Sequence, residues 1–323
     1  MVRKRVLSGM QPSGLLHIGN LLGALDNWKH LQAQHDCFFF VADWHALSTN
    51  YQNTSRIREF SQELLIDWLA FGIDPTQSTV FIQSHLHEHA VLHLLLSMMI
   101  PIPWLERNPT YKDQQEQITD RDLSTYGFLG YPVLQAADIL LYKPDFVPVG
   151  KDQLPHLELT REIARRFNDL YKTQVFPEPK EHLTKFPKVL GTDGRKMSKS
   201  YGNTINLSDT EPVVRQKLKT MITDPARVKR TDPGNPDICP VYELHKVYSP
   251  SAVQERINSE CRTAAIGCID CKKLLADGMV QQMTPMWDRR KEIVAKPDYL
   301  NDVVRDGQLK AKAVASQTLN EVN

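Results

Sequence analysis

The 323-residue chain lacks a hydrophobic run long enough to cross a bilayer. Its longest apolar stretch, residues 90–105, is interrupted by His93, Pro101 and Pro103, whereas a membrane helix needs about 20 consecutive apolar residues. Three basic residues lie near the start, but too few apolar residues follow them before Gln11 to form a secretory signal. These absences predict a cytoplasmic protein with no membrane partner.

The chain also lacks an excess of charge and is poor in cysteine. Its 39 basic and 38 acidic residues leave a net charge of +1, so any bound nucleic acid must be held by a local basic patch. The five cysteines are an odd number in a long chain, which argues against a framework of disulfides. The length favours one large domain followed by a smaller one.

Two kinds of apolar pattern divide the chain. Short apolar runs, as a parallel α/β sheet requires, predict strands at residues 6–10, 37–42, 79–83 and 146–149. Helical periodicity predicts helices between them at residues 21–34, 57–71, 90–100, 132–142 and 157–167. Beyond about residue 205 only helices are predicted, the first started by a Ser208-x-x-Glu211 capping box and the others at residues 250–257, 272–283 and 300–314. The sequence therefore predicts an α/β fold, with a Rossmann-type parallel-sheet catalytic domain over residues 1–206 and an all-helical domain over residues 207–323.

The first motif, residues 11–20, reads Gln-Pro-Ser-Gly-Leu-Leu-His-Ile-Gly-Asn and lies between the first predicted strand and the first helix. Its glycines let the backbone approach a ligand closely, and the start of a helix favours phosphate. His17 and Asn20 lie one turn apart, so both can donate to the same phosphate oxygens. Taken alone, such a segment is more often an ordinary strand-to-helix turn.

The second motif, residues 191–200, reads Gly-Thr-Asp-Gly-Arg-Lys-Met-Ser-Lys-Ser. Lys196 and Lys199 alternate with two hydroxyl side chains behind a glycine-flanked loop, which predicts a mobile cationic clamp over a triphosphate. Most lysine-rich segments of this length are solvated loops. This one follows the His-Ile-Gly-Asn turn by about 180 residues, and the pairing favours the clamp.

Together the two motifs resemble the signature pair of the class I aminoacyl-tRNA synthetases. Asn20 stands where most members have histidine, a variant of the tryptophanyl branch. The resemblance implies that ATP and Mg²⁺ bind between the motifs. It also implies that the amino-acid carboxylate attacks the α-phosphate, which gives an aminoacyl-adenylate and pyrophosphate. Because the nucleophile is already an anion, such catalysis needs positioning and charge stabilisation rather than a general base.

The resemblance to the tryptophanyl branch continues along nearly the whole chain, through residues 8–14, 131–140 and 147–161. The residues that it implies for catalysis are His17, Asn20, Lys112, Lys196 and Lys199. Those that it implies for ATP binding are Gln11, Pro12, Ser13, Gly19, Asn20, Gly150, Lys151, Asp152, Val189, Lys196, Met197, Ser198, Lys199 and Ser200. Those that it implies for tryptophan binding are Gln11, His45, Tyr131, Gln135, Asp138 and Gln153.

Asp138 is the residue on which amino-acid selection depends. It lies between Ala137 and Ile139 on a predicted apolar helix, where burying a carboxylate without a partner is costly. As an acceptor for the indole N–H it would reject phenylalanine, which has no such donor. The alternative is a carboxylate tied to nearby backbone or to an arginine. Gln135 and Leu7 depart from the family, which often has methionine and phenylalanine there.

Three other functions were compared with this one. A tyrosyl-tRNA synthetase would carry a Gly-Gly-Ser-Asp-Gln pattern, which is longer by one residue than the segment ending at Gln153. An RNA-binding paralogue without catalysis would not need Lys196 and Lys199. A cytidylyltransferase-like enzyme would not need the long helical domain.

Four of the cysteines suggest a metal site, whereas Cys37 lies in an apolar strand and is predicted to be core. The spacing of Cys239, Cys261, Cys268 and Cys271 is C-x21-C-x6-C-x2-C, and four thiolates suit either Zn²⁺ or an iron–sulfur cluster. Four unrelated buried cysteines are the alternative. By resemblance, a subset of bacterial tryptophanyl enzymes carries a [4Fe–4S] cluster on nearly this spacing, with one more residue in the first gap.

Two expectations concern macromolecular partners. The resemblance implies that the helical domain receives the anticodon of tRNA(Trp), although residues 207–323 contain 18 basic and 16 acidic residues and form no basic tail. It also implies a homodimer, with His85, His87, His89 and His93 near the interface. These four histidines could hold a metal, but no carboxylate or further ligand accompanies them.

Overall fold

The computed structural model describes residues 3–117, 122–183 and 189–323. Its sheet comprises β1 (Arg5–Met10), β2 (Asp36–Val41), β3 (Ser78–Ile82), β4 (Phe146–Val149) and β5 (Lys180–Leu183). The strand order is β3-β2-β1-β4-β5 and every neighbouring pair is parallel. The predicted parallel sheet of an α/β fold is confirmed.

The central strands explain where a ligand can bind. Every residue of β2 from Cys37 to Val41 is buried, as expected when helices cover both faces of a parallel sheet. Strand order reverses between β1 and β4, so the sheet has a topological switch point there. Ligands of open α/β sheets bind beyond the carboxyl ends of the strands at such a point.

Fourteen α-helices are described. They are α1 (Ile18–Asn20), α2 (Asp26–Gln32), α3 (Asp43–Asn50), α4 (Ile57–Phe71), α5 (Glu88–Ser97), α6 (Ile102–Glu106), α7 (Pro109–Gln117), α8 (Tyr126–Tyr142), α9 (Leu154–Tyr171), α10 (Glu211–Thr220), α11 (Pro240–Tyr248), α12 (Ser251–Arg262), α13 (Cys268–Val294) and α14 (Pro297–Val322). Within the described part of the chain, none has the length and apolarity needed to cross a bilayer.

Several helices begin at other residues than predicted, and in two of them the contacts at the start give the reason. Helix α8 begins at Tyr126 rather than at residue 132, because the Thr125 side chain accepts a hydrogen bond from the Phe128 N–H and Pro132 lies inside the helix. The capping box at Ser208 does not form, since α10 begins only at Glu211 with Thr210 as its N-cap residue. The preceding turn is stabilised instead by Asp209, whose carboxylate accepts from the Asn206 N–H at 2.8 Å.

The chain forms two compact units. One contains the described residues of Met1–Ser13, Asp26–Lys185 and Lys296–Asn323, and the other those of Gly14–Leu25 and Phe186–Ala295. This division differs from the predicted domains 1–206 and 207–323, since residues 14–25 and 186–206 lie in the second unit and α14 packs against β3 in the sheet unit. A Cβ atom at Gly307 would overlap the Val80 carbonyl oxygen, so the helix reaches the strand backbone through a glycine.

The second unit is mainly helical. Helix α13 packs on α10 and α11, and the Trp287 indole N–H donates to the Leu207 carbonyl oxygen at 3.0 Å. Residues 14–25 join this unit through backbone hydrogen bonds from Leu207 to Leu16 and from Ile18 to Ile205. Residues 16–18 of the first motif are therefore held by residues 205–207, which follow the second motif.

Candidate active site

A cavity of about 240 Å³ lies in the sheet unit, among side chains of β1, β2, β4, α3, α8 and α9. It is the site that the switch point of the sheet predicts. All six residues predicted to bind tryptophan line it: Gln11, His45, Tyr131, Gln135, Asp138 and Gln153. Leu7 and Phe40 are among its apolar walls.

The Asp138 carboxylate is buried, with 1% of the residue exposed, and three side chains donate to it. His45 Nε2 lies 2.7 Å from Oδ2, and His89 Nδ1 lies 2.7 Å from Oδ1. Gln83 Nε2 bridges the two oxygens at 2.8 and 2.9 Å. The carboxylate is thus tied, but to side chains of α3, α5 and the turn after β3 rather than to backbone or arginine.

These contacts decide the charge of Asp138. Burial by itself would raise its pKa, but the hydrogen bonds from His45 and His89 lower that pKa to about 2. The group is therefore an ionised acceptor at neutral pH. A carboxylate has roughly four lone-pair positions, and His45, His89 and the bridging Gln83 occupy all four. A further donor therefore has room only when Gln83 bonds to one of the two oxygens.

A second polar group in the cavity lining is the pair of Tyr131 and His156. The Asn108 side-chain amide donates to His156 Nδ1 at 3.2 Å, and His156 Nε2 lies 3.1 Å from the Tyr131 hydroxyl. Burial, with a contribution from the charge of His45, lowers the pKa of His156 to about 4. Neutral His156 then donates through Nε2, which leaves the Tyr131 hydroxyl hydrogen for an acceptor in the cavity.

The first motif forms a histidine-capped helix start in the second unit. The Gly19 N–H donates to His17 Nδ1 at 3.1 Å, and the His17 N–H donates to Asn20 Oδ1 at 3.1 Å. This is a capping box in which histidine replaces the usual serine or threonine. Because Nδ1 accepts, neutral His17 carries its hydrogen on Nε2 and can donate it to an anion.

The second motif contacts the first within the same unit. Lys199 Nζ donates to the Gly14 carbonyl oxygen at 2.9 Å, where the backbone of Gly14 is left-handed with φ of 140°. Burial first, and the Lys199 charge second, lower the pKa of His17 to about 4. Lys196 is exposed, whereas the neighbouring Met197 is buried and anchors the loop.

Asn203 organises this loop and was not predicted. Its side-chain amide donates to Asp193 Oδ1 at 2.7 Å and to the Lys196 carbonyl oxygen at 3.2 Å, and its oxygen accepts from the Ser198 N–H at 2.8 Å. A Cβ atom at Gly191 would overlap the same amide. A single asparagine just beyond a motif leaves no pattern in the sequence, so only the contacts reveal it.

The remaining residues predicted for ATP fall into two groups. Gln11, Pro12, Ser13, Lys112 and residues 150–152 belong to the sheet unit, whereas Gly19, Val189, Ser198 and Ser200 belong to the second unit with the motif pair. The Thr110 hydroxyl donates to the Asp152 carbonyl oxygen at 3.3 Å, which joins the start of α7, with its exposed Lys112, to the turn after β4. The Val189 carbonyl oxygen accepts from the Met197 N–H at 2.9 Å.

The four cysteines lie on three segments of the second unit. Cys239 precedes α11, Cys261 lies in the last turn of α12, and Cys268 and Cys271 lie in the first turn of α13. Burial raises the pKa of Cys271 to about 12, and the other three thiols contribute to this rise. Cys37 is fully buried, as predicted.

The described thiols are near one another but are not gathered around one metal position in this structure. Among the residues that the structure describes, no three histidine, cysteine, aspartate or glutamate side chains are placed to hold one metal ion. The same holds for the four histidines of residues 85–93, where His89 is engaged with Asp138. The donor chemistry of four thiols suits iron–sulfur or zinc, so the site stays a prediction.

We expect His17 to titrate with a pKa near 4 in the folded chain and near its usual 6.5 in urea. Since the unfolded chain then takes the proton first, the His17 contribution to stability is complete above pH 6.5 and is lost as the pH falls to about 4. NMR titration of the ¹⁵N-labelled imidazole measures both values and the tautomer. Lys199→Gln should raise the folded pKa part of the way, and a folded pKa of 6.5 or above would contradict the assignment.

Comparison with known proteins places this geometry in a family. The family tRNA synthetases class I (W and Y) matches residues 2–283. The tryptophan–tRNA ligase of Thermotoga maritima is 53% identical over 320 residues, which cover 98% of this chain and 97% of the relative.

Solved structures agree. The tryptophanyl-tRNA synthetase of Campylobacter jejuni, determined with ADP and tryptophan, is 32% identical, covers 98% of both chains and superposes with a TM-score of 0.91. The tyrosyl-tRNA synthetase of Archaeoglobus fulgidus, at 20% identity and a TM-score of 0.66, shares the fold alone. The chain therefore belongs to the class I aminoacyl-tRNA synthetases, in their tryptophanyl branch.

Proposed function

We propose that this chain is a tryptophan–tRNA ligase. It activates L-tryptophan with ATP to tryptophanyl-adenylate and pyrophosphate, and then transfers tryptophan to the 3′ end of tRNA(Trp). The observation that carries the proposal is the cavity in which six residues of the tryptophanyl pattern meet around a buried, ionised Asp138. Charging of tRNA also fits the proposed cytoplasmic location.

The cavity has one polar group for each part of tryptophan. Asp138 accepts the indole N–H, while Leu7 and Phe40 contact the rings. Tyr131, with its hydroxyl hydrogen available, and Gln153 bind the amino and carboxylate groups at the polar end. Phenylalanine fits the apolar walls but offers no donor to Asp138, so it forgoes the hydrogen bond that tryptophan gains and is rejected by more than shape.

The motif pair of the second unit acts on the phosphates. The tryptophan carboxylate forms a bond to the α-phosphorus, the bond to the bridging oxygen breaks, and the electron pair leaves with pyrophosphate. Neutral His17 donates from Nε2 to a phosphate oxygen, and Lys196 and Lys199 stabilise the charge that develops on pyrophosphate. Mg²⁺ bound with ATP would neutralise part of the phosphate charge.

The tRNA anticodon is assigned to residues 207–295, since α14 belongs to the sheet unit. Two of the basic residues there serve the fold instead. Arg227 is buried, with Nη2 directed to the Ile266 carbonyl oxygen, and Arg230 donates to the carbonyl oxygens of Ala264 and Ala265. Phosphate contacts are therefore left to other cations of this region, such as the exposed Lys229.

A homodimer is proposed from an exposed apolar face of the sheet unit. Leu94 is 55% and Met98 76% exposed, and Val91, Leu95 and Ile102 are exposed beside them. Their spacing along α5 and into α6 puts them on one face. Such a patch is unusual on a monomer, and a twofold axis would cover it with its own copy.

The four cysteines are proposed to hold a [4Fe–4S] cluster, with a Zn(Cys)₄ site as the alternative. Cys239, Cys261 and Cys268 lie close enough to Cys271 to raise its pKa, and such thiols are stabilised as thiolates once a cation lies among them. The cluster would join the starts of α11 and α13 to the end of α12. It lies in the helical part of the second unit, so its role is tRNA docking and local folding rather than adenylate formation.

Tryptophan-dependent ATP–pyrophosphate exchange tests the proposed activity. We expect exchange with tryptophan and negligible exchange with tyrosine. Asp138→Ala should lower kcat/KM for tryptophan by roughly 10²-fold, because a buried hydrogen bond to a charged group is lost. Asp169→Ala, the same change at a carboxylate that is 82% exposed on α9, is the control and should keep the activity. Equal exchange with tyrosine would refute the assignment.

Iron analysis and the visible spectrum of anaerobically purified protein test the cysteine site. Cys268→Ser and Cys271→Ser should remove the brown colour and impair aminoacylation, while pyrophosphate exchange largely survives. The control Cys37→Ala should keep the iron. A colourless protein with one zinc per chain would show that zinc takes the place of the cluster. A metal-free protein with four alkylatable thiols would show that these cysteines form no metal site.

Sedimentation analysis tests the dimer. Leu94→Glu places a charge in the middle of the apolar face and should shift the chain from dimer to monomer. Leu309→Glu, at a leucine that is 64% exposed on α14, is the matched control and should leave the dimer intact. A monomeric unmodified chain at micromolar concentration contradicts this proposal.

A further inference from the structure

Two donors to Asp138 lie behind the cavity rather than in it. Gln83 and His89 are both 0% exposed, and neither is part of the cavity lining, whereas His45 and Asp138 are. They come from the turn that follows β3 and from α5. Neither can touch an amino acid in the cavity, so any effect they have on recognition passes through Asp138.

The ring of His89 continues the chain of hydrogen bonds to Tyr142. His89 Nε2 lies 2.9 Å from the Tyr142 hydroxyl, one helical turn beyond Asp138 on α8. Burial raises the pKa of Tyr142 well above its usual value, so its hydroxyl stays protonated. Within the described chain this hydroxyl has no acceptor other than His89 Nε2.

These contacts select one tautomer of His89. A hydrogen bond from Tyr142 to Nε2 requires a lone pair on that nitrogen, which puts the imidazole hydrogen on Nδ1. Nδ1 lies 2.7 Å from Asp138 Oδ1 and donates to it. Without Tyr142 the ionised Asp138 still keeps the hydrogen on Nδ1, but the His89 ring loses the contact that fixes its Nε2 side.

We propose that Tyr142, His89 and Gln83 are positioning residues for amino-acid selection. Tyr142 fixes the His89 ring with its Nδ1–H directed at Asp138, and His89 and Gln83 hold the Asp138 carboxylate in the single orientation that receives the indole N–H. The inference rests on the proposed role of Asp138 in tryptophan recognition. Discrimination by the indole N–H therefore depends on the Tyr142 hydroxyl, which does not contact the substrate.

The test compares tryptophan with β-(benzo[b]thiophen-3-yl)alanine, in which sulfur replaces the indole N–H at nearly the same size. In the unmodified chain, kcat/KM in pyrophosphate exchange should favour tryptophan by about 10²-fold, as expected for a buried hydrogen bond. Tyr142→Phe should reduce this preference about tenfold through a higher KM for tryptophan. The KM for ATP and the kcat/KM for the analogue should stay within about twofold.

Two further variants sharpen the comparison. His89→Leu removes the donor and should lose the preference, whereas His89→Asn places an amide N–H near the position of Nδ1 and should restore part of it. The matched control is Tyr248→Phe in the second unit, since the buried Tyr248 hydroxyl has no hydrogen-bond partner among the residues that the structure describes. It should leave the preference unchanged.

The outcomes separate this inference from the proposed function. If the unmodified chain shows no preference, or if Asp138→Ala leaves the preference intact, the assigned role of Asp138 fails and the positioning role with it. If Asp138→Ala abolishes the preference but Tyr142→Phe and His89→Leu keep it, only the positioning role is overturned. An equal loss with both substrates in Tyr142→Phe shows a purely structural residue and also overturns it. Should His89→Leu not fold, Tyr142→Phe decides alone.

Discussion

The buried negative charge of Asp138 constrains much of the sheet unit. An ionised carboxylate on an apolar helix is destabilising unless donors surround it, and here three side chains supply them. His45, Gln83 and His89 come from three separate elements that follow β2 and β3. The sheet must therefore place the carboxyl ends of these strands beside α8 before the charge is satisfied. The same arrangement that stabilises the carboxylate leaves it in the cavity lining as an acceptor.

The order of the strands explains why a cavity exists beside that charge. Strand β1 lies between β2 and β4. The chain adds β2 and β3 on one side of β1, and β4 and β5 on the other. Side chains after β1, β2 and β4 can then line one space without filling it. In the second unit the chemistry is different. There a neutral His17 and the cationic loop of Lys196 and Lys199 suit phosphates, which need donors and positive charge more than shape.

The cysteine region shows that a basic residue of the second unit can stabilise the fold rather than bind RNA. Arg227 belongs to a basic cluster in the sequence, yet its guanidinium is buried and lies 3.6 Å from Cys261 Sγ. Burial raises the pKa of Cys261, the charge of Arg227 opposes that rise, and the neighbouring thiols add to it. A cation of the proposed tRNA-binding region thus stabilises the thiol region, which reduces the number of residues available for phosphate contacts.

Local pattern was sufficient for elements whose burial follows their own periodicity. Helix α4 and strand β4 have the predicted bounds, and the parallel sheet follows from the alternation of apolar runs and helices.

Family resemblance supplied the six residues that line the cavity. Gln83, His89, Tyr142 and Asn203 could not be found this way. Gln83 and His89 meet Asp138 across 55 and 49 residues of sequence, a separation that leaves no spacing signal. The attachment of α14 to the sheet depends likewise on its contact with β3. Periodicity records which face of an element is buried, whereas the partner of a buried polar group is chosen by packing between distant segments.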